Sequence, residues 1–262
     1  MQRAAHWLLP FWAIIAVAWA VLVSGGGGVA LLPAFCTAEG WHALPPSASF
    51  DLALVTNALP LLALGWLVMV IAMMLPLALA PLGHVRERSF ARRRTRSMLL
   101  FAFGFVVLWM AVGVILQALA WSVQWAVPGL LGVALAVAVA FVWQVSPAKQ
   151  WCLNRCHQRP PMTAFGLTAD LDALRFGVKN GAACAGACWA LMLPMLLIGQ
   201  GQLAAMIVVT LFGIAESLET PAPLAWRWRG GGKALRILAA RWPVIPTFPA
   251  RRYLPLLTKS RI

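Results

Sequence analysis

The chain has 262 residues, 62% of them hydrophobic and 11% charged, with 21 Lys and Arg against 7 Asp and Glu and a net charge of +14. A soluble domain carries about 25% charged residues. Here the apolar residues run in blocks long enough to cross lipid, which excludes an ordinary soluble core. The positive balance would suit nucleic acid, but its position along the chain excludes that partner as well.

Six apolar blocks lie near residues 7–23, 59–82, 98–120, 128–146, 182–200 and 202–218. Each approaches the ~20 residues that a helix needs to cross the hydrocarbon core. Only a helix satisfies its own backbone within one segment in lipid. The predicted fold is therefore all-α, a polytopic transmembrane helical bundle of about six spans over residues 1–225, followed by a basic tail over 226–262. Fourteen Trp against one Tyr fit aromatic anchors at the span ends, although Trp66 and Trp189 lie well inside apolar blocks.

The first block is read as a retained span. Ala18-Trp19-Ala20 resembles a signal-peptide cleavage site, but the apolar stretch is long for a signal. A lipoprotein signal ending at Cys36 is disfavoured by the bulky Phe35 before it. Gly25-Gly26-Gly27-Gly28 opens a flexible loop running to residue 58. The second block carries Met69, Met73 and Met74 ahead of Pro76, with Met69 and Met73 on one helical face and the proline able to kink the helix beside them.

Every Lys and Arg falls at Arg3, between Arg86 and Arg96, between Lys149 and Lys179, or from Arg227 onward. Those are alternate sides of a six-span chain, and the connections 24–58, 121–127 and 199–201 hold none. The positive-inside rule then predicts a multi-pass protein of the bacterial inner membrane with both termini cytoplasmic. The tail from Lys233 to Trp242 reads as a short basic amphipathic helix on the anionic inner leaflet, with Leu235, Leu238 and Trp242 on one face, ended by Pro243, Pro246 and Pro249. A solvated tail is the bland alternative.

No hydrolase triad, dinucleotide loop or phosphate loop is present, so an enzyme is the weaker reading, with thiol redox chemistry its one available route. The soft donors stand out instead. Cys152 and Cys156 are four residues apart, as are Cys184 and Cys188, which sets each pair on one helical face with Cβ atoms ~5–6 Å apart. Both pairs fall near the cytoplasmic side, where thiols stay reduced. The second pair lies among Gly177, Gly181, Ala182, Ala183, Ala185, Gly186 and Ala187, a small-residue surface suited to helix packing. The first lies in a polar segment, where packing explains it less well. His157 follows Cys156 directly and points about 100° away on a helix, so it joins the pair only through a local break. Met73 and Met74 are ordinary core fillers alone, and become candidate Cu(I) ligands beside four thiols. Glu216, inside the last block, is a candidate proton acceptor, with capping or a pair with Lys179 as the cheaper readings.

Three stretches resemble a family of bacterial integral membrane proteins predicted to bind metal. They are Trp66 to Pro76 with its three methionines, Pro147-Ala-Lys149-Gln-Trp-Cys152-Leu-Asn-Arg-Cys156, and Gly177 to Met192 around Cys184, Gly186, Cys188 and Trp189. The similarity runs from about residue 60 to 220, and departs at Asn180, Ala187 and Ser217, where that family usually has His, Cys and Lys. The expected function is binding of a soft transition metal, Cu(I) before Zn(II), for transport or delivery. Cys152, Cys156, Cys184 and Cys188 are the primary ligands, with Met73, Met74 and His157 secondary and Glu216 receiving a proton. The alternative is an accessory or assembly subunit that docks a membrane protein partner and uses its cysteines for packing.

Overall fold

A computed structural model describes residues 6–25, 59–163, 165–198, 201–228, 232, 233 and 236. Among them are seven α-helices and no strand, as expected for an all-α chain: α1 (Leu9–Gly25, after a 3-10 turn His6–Leu8), α2 (Leu59–Arg88), α3 (Arg94–Ala126), α4 (Leu130–Val145), α5 (Pro147–Cys156), α6 (Gly166–Leu197) and α7 (Gln202–Ser217). Four of these, α1, α2, α3 and α6, are long and apolar enough to cross a membrane, and α4 with α5 makes a fifth if the bent pair is one span. The last predicted span, α7, has 16 residues and is shorter than a full crossing requires.

Two helices run well beyond the predicted spans because hydropathy does not register their polar ends. α6 begins at Gly166 rather than near 182, and α3 covers 94–126 rather than 98–120. Their polar starts are joined by Asp170, which takes Arg93 at 2.8 Å and Arg96 at 2.7 Å.

From that ion pair α3 and α6 climb side by side in the same direction. A Cβ on Gly104 would strike the Leu174 carbonyl, and one on Gly177 would strike the Phe101 carbonyl, so the two backbones meet with no side chain between them. One turn further, Gly181 faces the Phe105 carbonyl and Leu108. Small residues that let backbones close in are the usual means of pairing helices where lipid removes the hydrophobic drive. Among the described residues this is the most extensive helix pair.

α6 is the central element, touching α2, α3, α4, α5 and α7, and its second half is buried on nearly every side. α1 docks on α2, where the Trp19 indole donates to the Ala72 carbonyl at 3.1 Å. The two tryptophans inside apolar blocks are packing residues: Trp66 donates to the Trp109 carbonyl at 2.9 Å, and Trp189 lies edge-on to Trp143. The predicted glycine loop, Cys36, Arg3 and most of the tail helix lie outside the described residues, although Gly232, Lys233 and Arg236 have helical backbone.

Candidate metal centre

The centre begins at a helix break. Pro147 lacks the N–H to continue α4, and the preceding Ser146 is extended (φ −69°, ψ 147°). The chain bends by 66° and restarts as α5, with the Ser146 hydroxyl capping it by accepting from the Lys149 N–H at 3.2 Å. α5 carries the first thiol pair and lies against α6, which carries the second.

Cys152 is buried directly over Gly186, where a Cβ would meet its sulfur at 2.6 Å. Gly186 is thus the gap into which this thiol fits, and its carbonyl accepts from the Trp143 indole at 3.0 Å. Cys156, half-buried, ends α5, and the Asn180 amide donates to its carbonyl at 3.5 Å. Cys184 and Cys188 are both buried, one helical turn apart on α6. All four thiols are free, and Cys188 lies within electrostatic reach of each of the other three. Among the described residues no three His, Cys, Asp or Glu side chains stand close enough to enclose a metal ion.

Cys156, Cys184 and Cys188 open onto one cavity of about 790 Å³, together with His84, His157, Asn180, Glu216 and the Pro76 turn of α2. Cys152 sits behind this wall. Met73 and Met74 are wholly buried in the same apolar core as Cys152, Cys184 and Cys188, and do not line the cavity. The break that brings His157 toward the cysteines occurs, since α5 ends at Cys156 and His157 is its C-cap. Its ring is nevertheless held between two carbonyls, Leu153 at 2.8 Å from Nδ1 and Ser217 at 3.2 Å from Nε2. In this rotamer neither nitrogen is aimed at a thiol-bound ion.

Glu216 pairs with Lys149, not Lys179: Nζ stands 2.8 Å from Oε2, with the two side chains 0% and 3% exposed. The Gln144 amide donates to Glu216 Oε1 at 2.5 Å, and the Gln144 carbonyl oxygen accepts from Lys149 Nζ. The bend at Ser146–Pro147 makes this possible by folding Lys149 back beneath Gln144. Positive-inside counting treats Lys149 as a solvated loop charge, yet it is the most deeply buried cation among the described residues. Both members of the pair lie within electrostatic reach of Cys188.

A copper chaperone family, PpoB2, matches residues 63–239, about two thirds of the chain. The chain belongs to that family. For a copper chaperone the donor set is apt, because thiolate ligands select Cu(I), an ion satisfied by as few as two of them. The matched region takes in the α2 methionines, both thiol pairs and the Lys149–Glu216 pair, and leaves α1 outside. No curated protein and no solved structure matches the chain.

Three residues near the thiols carry no functional signal in the sequence. Lys149 stands in the Pro147–Cys156 stretch but reads there as one more cytoplasmic charge, and His84 has no spacing signal. Trp109 was one of fourteen tryptophans.

Proposed function

We propose that this chain is an inner-membrane copper chaperone that holds Cu(I) at Cys184 and Cys188 and passes it to a membrane protein partner by way of Cys156 and Cys152. The supporting observation is the cavity on which Cys156, Cys184 and Cys188 converge beside a buried Lys–Glu pair, in a chain of copper chaperone ancestry. Thiols four residues apart on α6 need only rotamer changes to clasp one ion in a two-coordinate arrangement, whereas a larger ligand set needs α5 to shift toward α6.

Copper binding displaces a proton from each thiol. Two thiolates on Cu(I) carry one net negative charge, which is costly in a low-dielectric interior unless a cation faces it. Lys149 supplies that cation. Glu216, whose oxygens are held by Lys149 and Gln144, is the proposed acceptor of one of the two displaced protons, which frees the ammonium for the thiolates, and the second proton leaves to water through the cavity. Met73 and Met74 back the site as soft, polarisable packing within the same core.

In this reading the chain crosses the bilayer six times with both termini in the cytoplasm, α4 and α5 forming one broken span and α7 a short one in locally thinned lipid. Residues 1–225 form one bundle, and the basic tail lies on the anionic inner leaflet.

Copper content decides the matter. Purified protein loaded with Cu(I) under reducing conditions should hold about one ion per chain by the two-thiolate argument, and Cys184→Ser or Cys188→Ser should abolish it without unfolding the bundle. Wild-type copper in the Cys184→Ser/Cys188→Ser double variant would leave the cysteines as packing residues and sink the proposal.

A further inference from the structure

Among the described residues, the largest fully buried side chain has an unmet hydrogen bond. Trp109 on α3 is 0% exposed, and its indole Nε1–H has no hydrogen-bond partner. Leaving a buried donor unmade costs about 1–3 kcal/mol, and native interiors rarely tolerate it. Its backbone is well held, since the Trp109 carbonyl accepts from Trp66.

The register of the bundle says what the donor faces. α3 and α6 ascend in parallel, with Phe101 against Gly177 and Phe105 against Gly181. One further turn on each helix brings Trp109 to the level of Cys184, and the indole interacts with that sulfur without reaching hydrogen-bond geometry. A neutral thiol is a weak acceptor, which explains why the bond is unmade. A thiolate is a strong one, and hydrogen bonds to anionic groups are about twice as strong as neutral ones.

We infer that Trp109 is a positioning residue for the loaded state, donating its indole N–H to the Cys184 sulfur once copper has replaced the thiol proton. The metal-free protein holds this donor in place, and copper binding completes the bond. Drawing charge from the sulfur also favours Cu(I) over Cu(II), because hydrogen bonding around a ligating cysteine tunes the metal's potential. This inference rests on the proposed ligand role of Cys184.

The test replaces the N–H and keeps the shape, using Trp109→Phe and, as a closer isostere, β-(3-benzothienyl)alanine incorporated at position 109. Cu(I) affinity, read by competition with a chromophoric Cu(I) chelator, should fall about tenfold in both, the loss of roughly one charge-assisted hydrogen bond. The ultraviolet sulfur-to-copper charge-transfer band should move to longer wavelength, and the isostere should leave the metal-free protein at least as stable as wild type. Wild-type affinity with an unmoved band in the isostere would overturn the assignment, as would an affinity loss matched by a loss of metal-free stability. Cys184→Ser, measured alongside, separates the two readings. If it retains copper, the ligand assignment fails and takes this inference with it. If it loses copper while the Trp109 variants bind normally, only the indole's role is overturned.

Discussion

Along α6 the bundle makes two seams that differ in what they bury. Against α3 the contact is backbone on backbone, with Gly104, Gly177 and Gly181 clearing the way and no ionised group until Asp170 at the polar end. Against α5 and α7 the same helix faces thiols, a cavity and a fully buried Lys–Glu pair. The first arrangement gains close packing at low electrostatic cost. The second carries a desolvation cost that hydrophobic residues of the same volume would avoid. A bundle that builds both seams from one helix separates the part that holds it together from the part that handles charge.

The sharpest way to break this contrast is Lys149→Met. It strands the Glu216 carboxylate in the interior and should cost about 3–5 kcal/mol, read as a large drop in thermal unfolding temperature in detergent. Lys149→Met/Glu216→Gln should recover most of that stability while leaving copper binding impaired, since the neutral pair no longer balances thiolate charge. Recovery of both would mean that the pair serves folding alone. Next is Gly177→Val, which drives a side chain into the Phe101 carbonyl and should cost about 1–3 kcal/mol or more. Copper bound per folded chain should stay unchanged, because Gly177 lies about two turns of α6 before Cys184. Gly186→Ala is a smaller intrusion aimed at the other seam. It pushes on the Cys152 sulfur and should cost about 1 kcal/mol, with slower copper transfer to a chelator as its mark. The smallest effect is expected from Asp170→Asn. It weakens two ion pairs whose arginines are partly exposed, for about 1 kcal/mol or less, and the loss should shrink in high salt.

The two seams also differ in how well the sequence announces them. Apolar blocks marked the helices of the first seam, and the glycines at 177 and 181 marked its close approach, because hydropathy and side-chain size are local properties. The second seam depends on partners distant in sequence. Lys149 and Glu216 are brought together by a bend, and neither residue's neighbours reveal it; a count of positive charges reads Lys149 as solvated. His157 is similar. The helix break it required was foreseeable as a condition, but the two carbonyls that occupy its ring come from α5 and from the end of α7. The i, i+4 thiol spacings were legible. What was not legible is that one pair meets the cavity twice and the other only through Cys156.

The 66° bend between α4 and α5 has a consequence for reach. At ~1.5 Å per residue, a straight continuation would carry Cys156 about 16 Å past Val145 along the α4 axis, off the end of the bundle and away from α6. Bent by 66°, the same length converts into about 7 Å of descent and 15 Å of lateral travel. α5 therefore works as a crossbeam, exchanging depth for breadth. It holds the Cys152 sulfur inside the wall and delivers Cys156 to the cavity, the placement that the proposed transfer route requires.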